Sequence, residues 1–210
     1  MRIAYLLTAA LVALPAFAQK YEFGVNGGVS FYDKKTVTNP RGDADVGFKT
    51  GYVAGFSLGH NMYKLIGGEI RYTFLNNGMK IESGSTKATF GAQAHAFHYD
   101  LLIHATDPDS GVRPYVAIGG GMKHYRGTGD EQPFQPLSNI AILTKTNDTK
   151  GMVSVGGGVK VQLTRRMWLR LDVHDYLTPF PKNVITPASG SAVSGWFNNL
   201  VGTGGLTFTF

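Results

Sequence analysis

The chain has 210 residues, 28 of them Gly, no Cys, and a formal net charge of +6. That length is the size of one domain, and the lack of Cys excludes disulfide stapling. Lys and Arg are scattered among acidic residues without a basic cluster, which excludes nucleic acid as a partner.

Residues 1–19 read as a signal peptide. Arg2 gives a positive start, Ile3 to Leu14 form an apolar stretch, and Ala16-Phe17-Ala18 has the form of an A-x-A cleavage site. The stretch is shorter than the roughly 20 residues a membrane-spanning helix needs. Residues 20–210, about 190 in all, are then expected to form one domain.

From residue 21 onward, short runs alternate apolar residues with polar residues or Gly. The first predicted strand, 21–31, sets Tyr21, Phe23, Val25, Val29 and Phe31 against Glu22, Gly24, Asn26, Gly28 and Ser30. The second, 48–60, sets Tyr52, Phe56 and Leu58 against Gly51, Gly55, Ser57 and Gly59. In the third, 65–75, Ile70, Tyr72 and Phe74 oppose Glu69, Arg71 and Thr73. The fourth, 88–104, opposes Phe97, Tyr99, Leu101 and Ile103 to Ala96, His98, Asp100 and Leu102.

The fifth strand, 113–125, has Val116, Ile118 and Met122 on one face and Tyr115, Ala117, Gly119 and Lys123 on the other. In the sixth, 152–163, Val153, Val155, Val159 and Val161 oppose Ser154, Gly156, Gly158 and Lys160. The seventh, 166–177, opposes Met167, Leu169, Leu171 and Val173 to Trp168, Arg170, Asp172 and His174. The eighth is 200–210. Helices are excluded because the period is two and Gly recurs within the runs.

The connections alternate in length. Segments 33–47, 75–87, 126–150 and 178–199 are long and polar, whereas 61–64, 105–112 and 164–165 are short. That asymmetry, with an even strand number, predicts an eight-stranded antiparallel up-and-down transmembrane barrel with short periplasmic turns and long outer loops. A closed sheet leaves no unpaired backbone in hydrocarbon. A soluble lipocalin-like barrel would place its apolar face inward and charges outward. Here the face opposite the apolar one is small and poor in charge, which suits a narrow lumen. Tyr21, Tyr52, Tyr72, Phe74 and Trp196 suit interfacial aromatic girdles.

The chain ends in Leu206-Thr207-Phe208-Thr209-Phe210, an alternating strand with a terminal aromatic. With the signal peptide and the eight-strand pattern, the chain resembles the small outer-membrane barrels of the OmpA/OmpX/OmpW type. The resemblance implies residence in the cell outer membrane, among outer-membrane lipids and lipopolysaccharide. It also implies that Leu206, Phe208 and Phe210 are the signal read by the barrel assembly machinery. The four long loops would carry any extracellular ligand. Members of the class include surface, tethering and channel proteins, so fold alone does not choose a function.

The inward face holds Glu22, Glu69, Asp100 and Asp172 against Arg71, Lys123, Lys160 and Arg170. Four acids and four bases in a narrow lumen are expected to pair, because unpaired burial is costly. Eight strands leave an interior that side chains fill, so the network should plug the barrel; a gated channel for small ions is the alternative.

No cofactor is expected. The Gly runs 119–121 and 156–158 lack the helix and Lys-Ser/Thr of a phosphate loop, and His95 and His98 lie on opposite faces. Ser189, Ser191 and Ser194 have no nucleophile context, so a lipid-modifying hydrolase is a third, weaker reading.

Overall fold

The computed structural model describes residues 21–130, 135–193 and 195–210. The expected signal peptide and Ser194 lie outside them. In chain order the strands are β1 (Tyr21–Tyr32), β2 (Lys35–Asn39), β3 (Gly42–Phe48), β4 (Gly51–Asn61), β5 (Ile66–Asn76), β6 (Met79–Ser83) and β7 (Thr86–Phe90). They continue with β8 (Ala92–His104), β9 (Val112–Gly127), β10 (Ala141–Leu143), β11 (Asn147–Gln162), β12 (Met167–Pro179), β13 (Ile185–Pro187) and β14 (Trp196–Thr209).

Among the described residues, eight of these strands close a barrel in the order β1-β14-β12-β11-β9-β8-β5-β4, each pairing antiparallel with its neighbours. Closure is made by β1 against β14, where Phe23 faces Phe208 and Val25 faces Leu206. Beyond the last ladder residue, Phe210 N–H donates to the Tyr21 carbonyl at 3.0 Å. No strand edge is left open around the wall, which is what a hydrocarbon environment demands.

Alternation places the apolar residues outward. Val116 is 60 % exposed, and Phe97 and Leu171 are each 51 % exposed. A lipocalin would bury such a face, so the soluble alternative fails on this observation. The opposite face is closed from solvent, with Arg71, Lys123, Lys160 and Arg170 all buried. Inward glycines make room for the larger inward groups. A Cβ on Gly156 would lie 2.7 Å from the His174 ring.

The three short connections share one end of the barrel with Tyr21 and Phe210, here called the turn end. At the other end the expected loops are not simply loops. Residues within 33–47, 75–87, 126–150 and 178–199 carry a four-stranded sheet, β2-β3-β6-β7, and a β10–β13 pair. The β3–β6 pairing prolongs the β4–β5 hairpin beyond the rim, past a break where Lys49 N–H donates to the Gly78 carbonyl at 2.7 Å. Phe48 and residues 88–90, expected in barrel strands, belong to this cap instead. The β6–β7 turn needs Gly84, whose φ is +57°.

The cap has its own apolar core. Val37, Val46, Phe48, Met79, Ile81, Ile140, Leu143, Val184, Ile185 and Phe197 are buried together. These residues are spread over four connections and separated by turn formers, so no local run announces them.

Candidate functional site

The lumen is built in layers. Toward the turn end, Lys160 pairs with Glu22, and Asn61 Nδ2 donates to the same carboxylate at 3.0 Å. Nearby, Arg113 is buried and donates from Nη2 to the Lys64 carbonyl at 3.2 Å.

In the next layer four charges alternate around a closed ring. Arg71 donates to Glu69 from Nη2 at 2.9 Å and to Asp172 from Nη1 at 2.8 Å. Arg170 donates from Nε to Asp172 at 2.7 Å, and its Nη2 reaches Glu69 Oε1 at 3.0 Å. Arg170 Nη1 also contacts Glu69 Oε2, making that pair bidentate. Tyr115 hydroxyl accepts from Arg170 Nε at 2.8 Å and donates to Asp172 at 3.1 Å, and Thr203 donates to Asp172 at 3.0 Å. The carboxylates are thus both paired and hydrogen-bonded, the condition under which buried ions are tolerated.

Beyond the ring lie His98, Asp100, His174 and Tyr176. His98 Nδ1 is 3.0 Å from Asp100, and its Nε2 is 3.2 Å from Tyr176 hydroxyl. His174 is 3.5 Å from Asp172 and 3.8 Å from Asp100, with Ser154 hydroxyl 3.1 Å from its Nδ1.

Next, Lys123 donates to Asn199 Oδ1 and lies 4.6 Å from the Tyr32 ring centroid, 5.2 Å from Tyr125 and 5.5 Å from Tyr176. An aromatic layer then closes the mouth. Phe48 packs 4.8 Å from Tyr32, 5.5 Å from Tyr125 and 5.8 Å from Phe197, and Phe180 sits 5.6 Å from Phe197.

The eight residues expected in one charge network therefore separate. Glu69, Arg71, Arg170 and Asp172 come together, and Glu22 and Lys160 form a pair of their own. Asp100 turns to histidines, and Lys123 is in no ion pair among the described residues. Lys123 departs from the expected pairing because its layer is lined by tyrosines, whose ring faces take the place of a carboxylate. Arg113 was missing from the inward set, although it shares parity with Tyr115 and Lys123; it stands at the start of its strand, where alternation is hardest to anchor.

Elsewhere, Leu206 and Phe208 share the outward face of β14, Phe208 being the more exposed, and Phe210 follows the strand's last residue. Ser191 accepts from Asn39 Nδ2 at 2.8 Å and donates to the Ile140 carbonyl at 2.9 Å, which ties the cap together. Among the described residues, no three metal-ligating side chains converge.

Residues 4–184 match the family model described as outer membrane protein beta-barrel domain. Among solved structures, the fold is similar to that of the outer membrane protein OprG from Pseudomonas aeruginosa. Identity is 12 % and the TM-score 0.59, over 92 % of this chain and 97 % of that one. Neisserial surface protein A is similar at 13 % identity and a TM-score of 0.54, over 90 % and 97 % of the two chains. The outer membrane protease OmpT from Escherichia coli is similar at 10 % identity and a TM-score of 0.54, over 92 % and 98 %. At such identities the likeness is one of fold. None of the curated proteins matches the sequence.

Proposed function

The chain belongs to the outer membrane protein beta-barrel domain family, and from that premise we propose that it is a closed-lumen barrel of the cell outer membrane that presents its cap at the cell surface. Its role is structural or one of surface interaction. The apolar wall meets outer-membrane lipids and lipopolysaccharide, and Leu206, Phe208 and Phe210 are read by the barrel assembly machinery. The long-loop end faces outward, following the asymmetry of such barrels. Any extracellular ligand is met by the capped loops.

One observation carries this reading: the Glu69–Arg71–Asp172–Arg170 ring joins opposite walls of the barrel. Eight strands enclose little more than side-chain volume, and here that volume is occupied by paired, buried charges under an aromatic lid. A narrow ion channel would need this ring to part. Catalysis has less support. The Ser154–His174 contact, the sole Ser–His hydrogen bond among the described residues, is buried within the lumen.

The deciding experiment is single-channel recording of the purified barrel in a planar bilayer. No steady conductance is expected from the wild-type chain. Steady conductance that rises on Arg71→Ala would replace this reading with that of a gated channel.

A further inference from the structure

At the turn end the lumen opens into a vestibule of about 140 Å³, lined by Glu22, Asn61, Asp109, Arg113, Arg165 and Trp168 among others. A smaller cavity adjoins it, sharing Glu22 and Asn61 and reaching His104 and Lys160. Three buried polar atoms here have no hydrogen-bond partner: Arg113 Nε and both ring nitrogens of His104. His104 stands opposite Tyr115 in the β8–β9 ladder, and Arg113 is the next inward residue of β9. Arg113 borders the vestibule, whereas His104 borders only the smaller cavity. Buried polar groups are nearly always satisfied, so the orphaned Arg113 Nε beside the vestibule calls for an occupant.

Charge indicates its sign. Lys160 is matched to Glu22, and Arg170 to Glu69 and Asp172. Arg113, only 3 % exposed, is in no ion pair among the described residues and meets a single protein acceptor. A buried guanidinium left in this state is costly. The group that answers Nε and Nη together is a planar carboxylate accepting two parallel N–H bonds.

We propose that the turn-end vestibule binds a small monocarboxylate, with Arg113 as its anchor. Asp109 at the rim and the buried Glu22 disfavour a dianion such as phosphate. Trp168 supplies an apolar wall for a short side chain, and the volume admits a molecule of the size of acetate or alanine rather than a polymer segment. The site lies on the turn side of the charge ring, so it stands whether or not the lumen conducts.

The test uses the whole barrel in detergent micelles with acetate as the probe and inorganic phosphate as the control. Saturation-transfer NMR is expected to give a saturable acetate signal and none for phosphate. The Arg113 Nε–H resonance should move as acetate is added. Arg113→Met should weaken acetate at least tenfold while the barrel keeps its heat-modifiable migration, and Arg113→Lys should fall between. Should Arg113→Met fail to fold, the wild-type Nε–H resonance decides alone. No saturable acetate binding would mean that water alone fills the vestibule. Binding that leaves the Arg113 resonance unmoved, or that survives Arg113→Met, would equally overturn the proposal.

Discussion

Arg71 Nη1 lies 2.8 Å from Asp172 Oδ1, and the strands that carry them, β5 and β12, stand diametrically opposite in the ring of eight. No backbone hydrogen bond connects these walls. The ion pairs among Glu69, Arg71, Arg170 and Asp172 are direct ties across the middle of the lumen, so they stiffen the barrel in the one direction that the ladders do not.

Arg71→Ala should therefore lower the temperature at which the folded, heat-modifiable form is lost in detergent. Breaking a fully dry ion pair costs about 3–5 kcal/mol. The expected loss is smaller, because Arg170 still holds both carboxylates and water can enter the space vacated. Unchanged thermal stability would mean that the ring contributes nothing.

Lys123 should behave in the opposite sense. Its ammonium is buried among Tyr32, Tyr125 and Tyr176, with no carboxylate in its ion-pair shell. Cation–π attraction in a desolvated site is worth about 2 kcal/mol, against a desolvation cost of several kcal/mol. Lys123→Met, which keeps the volume, is expected to leave the thermal transition unchanged or raise it. A fall as large as that of Arg71→Ala would show the cation to be required by its tyrosine layer.

Deleting Phe210 removes the N–H that donates to Tyr21 across the closing seam, together with the terminal aromatic. Less folded barrel is expected in outer-membrane fractions, with more degradation in the periplasm. An unchanged yield would separate the terminal strand from assembly.

Orientation can be read without background labelling, because the chain has no native Cys. Lys87→Cys on the cap should react with a membrane-impermeant maleimide on intact cells. Tyr63→Cys in the β4–β5 turn, 73 % exposed in the wild type, should react only after the outer membrane is permeabilised. The reverse pattern would invert the assigned orientation.

The cap's surface charges should matter little. The hydrogen bond from Lys34 to Glu82, 3.0 Å long, holds the Glu82 carboxyl below the usual carboxylate range and the Lys34 ammonium above its ordinary value. A carboxyl with a lowered pKa stabilises the fold above its unfolded pKa and loses that contribution as pH falls through the folded value. Lys34, raised, keeps its share below its unfolded pKa and loses it as pH rises through the folded one. Acidification from pH 5 to pH 3 should therefore loosen β6–β7 amide protection more in wild type than in Glu82→Gln. At neutral pH the two should melt together, since exposed pairs are screened.

Much of the barrel was legible in the residue order. A strand in a closed wall between lipid and a polar interior must alternate with period two, so the outward set from Tyr21 to Phe208 and the inward set from Glu22 to Asp172 could be read from parity alone. Boundaries came within five residues, with the starts of β11 and β14 among the largest misses, where residues 147–150 and 196–199 of the expected loops are barrel wall. Connection length separated the two ends, because tight turns and long loops differ in composition as well as size.

Contacts between elements distant in sequence had to wait for the tertiary structure. Parity says that Arg71 and Asp172 point inward, but only the closing of eight strands puts β5 opposite β12. It also leaves Lys123 among tyrosines, brings Asp100 to His174, and leaves Arg113 beside a cavity. The cap escaped for a related reason. Val37, Ile81, Leu143 and Val184 lie on four separate connections with no shared periodicity, and they become a core only when the barrel rim brings those connections together. Periodicity is a local property of the chain, fixed by backbone geometry. Pairing across a lumen and packing above a rim are set by closure, which no short window of sequence contains.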